Sequence, residues 1–284
     1  MKNILIVPNK GKDIDFALTK KVINKLITLG FFVYALYKHI GGSDLGISTF
    51  TDMREDTDLI VVIGGDGSVI DAAVYAISKD IPILGVNLGR VGYLAEVDPS
   101  NLEVFDRLVS GDYFVNEKML LSSLAEGLDE CVGDIRYAVN DIVFSYGGTL
   151  GISGIKIEDQ QGNSVKYRVD GLIFSTPQGS TAYSLSSGGP ILAHDVEGIV
   201  VTPVAPHSFF NRSVIFNSDE VISVTNVGEK PLNLCVDGRY YGKLNSGATY
   251  KVRKSPKKIK MIAFSKNSTF SNLFKKVRIM EDMD

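Results

Sequence analysis

Residues 58–78, DLIVVIGGDGSVIDAAVYAIS, decide how the chain is read. Asp58 to Ile63 form an apolar run of the length and β-branched content of a buried strand, and Val69, Ile70, Ala73, Val74 and Ile77 then recur at helical spacing. A strand therefore turns into a helix across Gly64-Gly65-Asp66-Gly67. Glycines let a backbone approach a ligand closely, and the unpaired N–H groups at the start of a helix favour an anion, so the turn reads as a phosphate site. Ser68 followed by Asp71 reads as a capping box that sets where the helix begins. Asp66 is the oddity, because a carboxylate repels phosphate unless it binds a metal or takes a proton from a reacting hydroxyl. Its plain alternative is a turn or helix-cap aspartate. The stretch is neither GxGxxG nor a Walker loop, which needs a Lys followed by Ser or Thr.

Working outward, Asn3 to Pro8 read as a first buried strand, and Asp15 to Leu29 as a helix with Phe16, Ile23, Leu26 and Ile27 on one face and Gly30 as its C-terminal cap. Phe31 to Leu36 and Ile81 to Val86 are further strands, and Ile40 to Arg54 reads as loop with short irregular structure. Strand and helix alternate, which predicts a parallel, doubly wound sheet. Ligands of such sheets lie beyond the carboxyl ends of the strands, where both the GGDG turn and the loop Asn87 to Leu94 fall. Arg90 and two glycines in that loop suit phosphate, though a plain connection explains them as well.

After a connecting helix over Pro99 to Val109 the pattern changes. Met119 to Ala125, Ile135 to Phe144, Ile152 to Glu158, Val165 to Phe174, Ile199 to Thr202, Val221 to Val227, Leu232 to Val236, Thr249 to Arg253 and Ile259 to Phe264 are short, rich in Val, Ile and Tyr, and separated by Gly, Asn or Asp. The predicted fold class is therefore α/β plus all-β: an α/β domain over 1–98, with 268–284 packing back on it, and a β-rich domain over 99–267, the active site lying in the cleft between them. Arg253, Lys254, Lys257, Lys258 and Lys260 read as edge-strand charges that discourage aggregation.

The 284 residues, 44% hydrophobic and 22% charged, are those of an ordinary globular protein. Thirty Lys plus Arg against 33 Asp plus Glu give no electrostatic reason to expect nucleic acid or a membrane surface. Cys131 and Cys235 suggest neither a disulfide scaffold nor a zinc site and read as buried, reduced thiols, and His39, His194 and His207 have no metal-ligand spacing. The apolar run near the N-terminus is too short for a secretory signal, and no segment approaches the ~20 apolar residues of a membrane helix, so the cytoplasm is the expected compartment.

Residues 168–190, RVDGLIFSTPQGSTAYSLSSGGP, are a further anomaly. Ser and Thr at 175, 176, 180, 181, 184, 186 and 187 offer a dense array of hydrogen-bonding groups on a permissive backbone, interrupted by Tyr183. The combination of Gly64-Gly65-Asp66-Gly67, Asn140-Asp141, Asp170-Gly171, Thr176-Pro177-Gln178-Gly179-Ser180-Thr181-Ala182-Tyr183 and Thr202-Pro203-Val204-Ala205-Pro206-His207-Ser208 resembles the NAD kinase family, in the right order from about residue 58 to Arg239. The GGDG turn alone is shared with diacylglycerol, sphingosine and phosphofructokinase-type kinases; the eight-residue block is far more specific.

That resemblance implies transfer of the terminal phosphoryl group of ATP, or in some members polyphosphate, to the 2′-hydroxyl of the adenosine ribose of NAD, giving NADP. It implies Asp66 as catalytic base. NAD contacts are implied at Asp66, Gly67, Asn140, Asp141, Arg168, Asp170, Thr181, Ala182, Tyr183, Ser184, Leu185, Ser186 and Ala205. Gly64, Gly65, Gly67, Ser68 and Arg90 would receive the phosphates, with Mg²⁺ carried by the nucleotide rather than by protein ligands. Two departures from the family pattern are Asp141 in place of a common Glu, and Arg239 where many bacterial members carry Gln. Homodimers or homotetramers built through the β domain are implied as well. Rival readings are a lipid or sugar kinase sharing the turn, and a non-catalytic NAD(P)-binding sensor.

Overall fold

The computed structural model describes residues 1–88, 92–126, 136–147, 151–207 and 210–265. The chain forms two compact units, Met1–Glu117 together with the chain from Lys258 onward, and Lys118–Lys257. The first boundary lies beyond the 98/99 of the sequence reading because the stretch that follows packs with the first unit. Phe105 and Leu108 are buried in its core, and Lys25 pairs with Glu103 and Asp106 at 2.6 and 3.0 Å. This stretch is a turn of 3-10 helix, Leu102–Phe105, running into α-helix, Asp106–Ser110. The segment 268–284 lies outside the described residues.

The first unit runs β1 (Asn3–Pro8), α1 (Ala17–Thr28), β2 (Phe32–Leu36), α2 (Tyr37–Ile40), β3 (Ser48–Phe50), β4 (Leu59–Gly64), α3 (Asp66–Lys79), β5 (Ile83–Asn87) and α4 (Asp106–Ser110). Its sheet is parallel in the order β3-β2-β1-β4-β5, and Met261 of the returning chain pairs with Ile83. Ile4, Ile6, Val33, Ala35, Leu59, Val61, Ile63, Leu84 and Val86 share one core with Val22, Ile23 and Leu26 of α1. The residues between them, among them Leu5, Tyr34, Ile60 and Val62, are equally inaccessible. Both faces are covered, which is why these strands read as unbroken apolar runs rather than as alternation. On α1 the buried stripe is Thr19, Val22, Ile23 and Leu26, while Ile27 is 48% exposed; on α3 Val69, Ala72, Ala73, Ala76 and Ile77 are buried, while Val74 is 59% exposed. Apolar identity alone misplaced those two side chains. The loop expected over Ile40 to Arg54 contains β3, whose parallel pairing with β2 leaves no periodic signature in three residues.

The second unit carries β6 (Phe114–Glu126, from Lys118), β7 (Arg136–Ala138), β8 (Asp141–Tyr146), β9 (Ser153–Glu158), β10 (Ser164–Val169), β11 (Gly171–Ser175), α5 (Tyr183–Ser186), β12 (Gly198–Val204), β13 (Val214–Asn217), β14 (Val221–Asn226), β15 (Leu232–Val236), β16 (Arg239–Leu244) and the first part of β17 (Thr249–Ala263). One antiparallel sheet has the order β13-β12-β11-β8-β15-β16; β10, β9, β14 and β17 pair in another. Ile142, Phe144, Leu172, Phe174, Ile199 and Leu234 from the former meet Ile155, Ile157, Tyr167, Ile222, Val224 and Val252 from the latter in one core, a sheet-on-sheet packing. Strands β9, β14 and β15 alternate buried and half-buried, whereas β11 is buried on both faces. Cys235, on β15, is a free thiol and half-buried rather than buried, because that strand turns alternate residues away from the core; Cys131 lies outside the described residues.

Two single strands of the sequence reading are pairs. Ile135 to Phe144 divides at Val139-Asn140, and Val165 to Phe174 divides at Asp170, where the chain passes from one sheet to the other. Conversely, Thr249 to Phe264 holds one strand, not two, and it is no edge. β14 pairs Thr249 to Arg253 and β5 meets Met261, and three of its lysines are matched: Lys254 with Glu197 at 2.6 Å, Lys258 with Glu117 at 3.0 Å, and Lys260 with Asp80.

Candidate functional site

In the first unit, β4 delivers the chain through Gly64 and Gly65 to Asp66, the first residue of α3. A Cβ built on Gly64 would lie 2.3 Å from Ser68 Oγ, so the turn closes only on glycine. The capping box is not made: α3 has no side-chain cap, and Ser68 Oγ accepts a hydrogen bond from Asn9 Nδ2 at 2.7 Å. Ser68 thus ties the turn to the end of β1. Lys12, which the sequence reading passed over, brings its ammonium to 3.6 Å from where a Gly65 Cβ would stand, a cation beside the N-terminus of a fourteen-residue helix.

The Asp66 carboxylate points away from its own helix. Oδ2 accepts from the Tyr93 N–H at 2.8 Å, and Oδ1 from the N–H groups of Leu94 and Ala95 at 2.9 and 3.3 Å. Gly92 lets the backbone come this close, since a Cβ there would sit 2.1 Å from Oδ1. A carboxylate offers about four acceptor positions, so its three donors among the described residues leave one, on Oδ2. Burial and the charge of Asp66 push the Tyr93 phenol above its usual range. Arg90, expected to contact phosphate, lies outside the described residues.

In the second unit the Asn140-Asp141 turn is held from two sides. The Asp237 carboxylate accepts from the N–H groups of Val139 at 2.8 Å, Asn140 at 2.7 Å and Asp141 at 3.0 Å. The Thr176 N–H donates to the Asn140 carbonyl at 2.9 Å, and Thr176 Oγ1 donates to the Val139 carbonyl at 2.7 Å while accepting from the Gly179 N–H. A Cβ on Gly179 would lie 2.0 Å from the Asn140 oxygen. Asp141 is 5% exposed; burial first, and the neighbouring Asp237 next, push its carboxyl up to about 7. Burial also raises Asp237, against its three N–H donors and Arg239. Asp237 is the functional-looking residue that sequence reasoning missed. The available signal was Asp237-Gly238 between two strands, a two-residue hairpin turn with both residues left-handed, φ 48° and 77°.

The hydroxyls of residues 175–187 mostly face inward. Ser180 Oγ bridges the Pro177 carbonyl and the Leu192 N–H, Thr181 Oγ1 donates to the Gln178 carbonyl, and Ser184 Oγ meets Thr202 Oγ1 at 2.9 Å. Ser175, Thr176, Ser180 and Ser184 are fully buried. What the loop presents to solvent is Tyr183, Leu185 and Ser186, with Thr181 and Ala182 half-buried.

Arg168, Asp170 and Ala205 form a separate group. The His207 N–H donates to the Arg168 carbonyl and the Asp170 N–H to the Val204 carbonyl, placing Ala205, in the left-handed region at φ 45°, beside them. This group sits at the Gly171 end of β11, whereas Asn140, Asp141 and Thr176 sit at its Ser175 end. Six residues of extended chain separate Asp170 from Thr176, about 20 Å.

Among the described residues no three His, Cys, Asp or Glu side chains are gathered to hold a metal, and no helix is long and apolar enough to cross a membrane. At the glycine turn the one carboxylate has three of its acceptor positions filled, a donor set that suits a cation held mainly by nucleotide phosphates.

An α/β unit with a glycine turn and a β-rich unit with a packed loop each match known proteins. The model of the ATP-NAD kinase N-terminal domain matches residues 4–113 and that of the ATP-NAD kinase C-terminal domain residues 139–264. Fold and matches together define a kinase, a phosphotransferase. A protein named NAD kinase from Caldanaerobacter subterraneus subsp. tengcongensis is 34% identical over 280 residues, covering 97% of this chain and 98% of its own. One from Natranaerobius thermophilus is 33% identical over 284 residues, covering 98% of each. The chain belongs to the NAD kinase family. The fold is shared with yeast NADH kinase solved with NADH (TM-score 0.83, 24% identity, 96% of this chain and 86% of that one) and with an Archaeoglobus fulgidus NAD kinase solved with ATP (TM-score 0.73, 24% identity, 98% and 99%).

Proposed function

We propose that this chain transfers a phosphoryl group from ATP to the 2′-hydroxyl of the adenosine ribose of NAD, with Asp66 as the group that takes up the hydroxyl proton. One observation carries the assignment of Asp66: three backbone N–H groups fix its carboxylate and, among the described residues, leave one acceptor position, on Oδ2. A base so held orients a single hydroxyl and reorganises little when the proton moves. Phosphoryl transfer asks mainly for positioning and charge stabilisation. Gly64, Gly65, Gly67 and Ser68 supply backbone for the phosphates and Lys12 supplies positive charge beside Gly65; Mg²⁺ carried by the nucleotide would offset part of the triphosphate charge.

Asn140, Asp141 and the exposed face of Thr181, Ala182, Tyr183, Leu185 and Ser186 are assigned to NAD, as are Arg168, Asp170 and Ala205. Ser184 acts through the shape of the loop, because its hydroxyl is engaged by Thr202. The about 20 Å between the two groups of NAD residues fits a homodimer or homotetramer in which each copy offers both ends of its sheet. NADP is then the product, and the cytoplasm the compartment.

The test is a coupled assay of NADP production with ATP and with polyphosphate as donors, run on the native chain and on Asp66→Asn. The native chain should form NADP. The variant should keep NAD binding and lose about 100-fold or more of its turnover. Near-native turnover removes Asp66 from the chemistry, and NADP formation by neither protein leaves the lipid- or sugar-kinase and sensor readings, which a thermal-shift screen of NAD, sugars and lipid headgroups separates.

A further inference from the structure

Asp237 lies 96 residues from Asp141, in the turn between β15 and β16, yet its carboxylate accepts from three successive N–H groups, those of Val139, Asn140 and Asp141. It is not a solvated turn residue. Half-buried itself, it stands against the buried Asp141, and its own N–H donates to the Asp141 carbonyl at 2.9 Å, so four hydrogen bonds lock the two segments together. A fold needing only closure of the β15–β16 hairpin would be served by Asn-Gly, which makes the same left-handed turn without setting another negative charge beside Asp141.

We propose that Asp237 is a positioning residue for the dinucleotide: through its hydrogen bonds to Val139, Asn140 and Asp141 it sets the geometry in which Asn140 and Asp141 meet the substrate. This rests on the assignment of Asn140 and Asp141 to NAD made above. Among the described residues the titratable groups around Asp141 are few. Asp237 and Cys235 come from β15 and its turn, Arg239 acts on Asp237 from β16, and β11 presents Ser175 and Thr176, which do not titrate. Asp237 is thus the neighbour whose charge bears on Asp141, and it acts in concert with burial.

The decisive measurement is the pH profile of kcat/KM for NAD in Asp237→Asn, which keeps the turn, loses the charge and can satisfy the three N–H groups only in part. In the native enzyme kcat/KM for NAD should rise through pH about 7 as Asp141 ionises. In the variant that limb should move to lower pH, the plateau above it should fall about 10- to 100-fold, and KM for ATP should stay within about twofold. A merely structural Asp237 would lower the melting temperature and leave limb, plateau and KM for NAD as in the native enzyme, and that outcome overturns the proposal. Should Asp237→Asn fail to fold, Asp141→Asn decides: its profile should lack the limb near pH 7, and a limb that survives refutes the pairing. A native chain that forms no NADP would sink the underlying assignment rather than this one.

Discussion

The glycine turn of the α/β unit and the hydroxyl-rich loop of the β-rich unit are similar in composition, both short on bulk and rich in small residues, yet they are built in opposite ways. At the turn the side chains are absent, and the backbone with one carboxylate is what a ligand would meet. In the loop the small side chains are present but tied up internally, on Val139, Pro177, Gln178, Leu192 and Thr202. The lesson is that small residues reach a site by two routes, one clearing space for the ligand and the other welding a surface of different residues into shape. Substitutions in the two regions should therefore fail differently.

The largest effect is expected at Gly92→Ala. The added carbon would stand 2.1 Å from Asp66 Oδ1, so the carboxylate must leave its three N–H donors, and kcat should fall on the order of 100-fold with NAD binding retained. A kinetically silent Gly92→Ala would break the contrast. Next is the pH dependence of stability. The Asp141 carboxyl is raised from 3.8 to about 7 in the folded state, so its contribution is full below pH 3.8 and is lost as pH climbs through about 7. A rise of that size corresponds to about 4 kcal/mol. Denaturant melts from about pH 4.5 to about pH 8 should show Asp141→Asn gaining on the native protein as pH rises and levelling off above about 7. Parallel curves would mean the buried pair does not exist in solution. The smallest effect belongs to Ser184→Ala, which removes one buried hydroxyl while Thr202 keeps Ser213 at 3.0 Å. It should cost about 1 kcal/mol of stability and leave both KM values nearly unchanged; a large KM change for NAD would make Ser184 a direct contact after all.

Sequence legibility follows the same divide. The passage from β4 to α3 could be read because a buried strand and an amphipathic helix abut there with only glycines and Asp66 between. Periodicity did not reveal that Asp170 is where one apolar run changes sheets, since hydrophobic order says how a strand is buried and not with which partner. Strands β13 and β16 went unread for a related reason. They are outermost in their sheet, and RYYGKL in β16 is largely exposed or half-buried until Leu244. Asp237-Gly238 marks a turn in the sequence, but the role of Asp237 lies in three amides 96 to 98 residues away. Asp13 was missed similarly: its buried carboxylate accepts from Leu18 and Thr19 and so closes the start of α1, the anion-at-a-helix-start arrangement that composition suggested only at Gly64-Gly65-Asp66-Gly67.

β17 runs unbroken from Thr249 to Ala263, and its last residues belong with strands made from the first ninety of the chain. On the ribosome, Ile83 must therefore wait for Met261 to be synthesised, a delay of about 10 to 35 s at ordinary elongation rates. Until then the Ile83 end of that sheet's border lacks its partner, while Gly85 and Asn87 are already bonded by Glu96 and Val97. The unit begun first in translation is thus the one completed last.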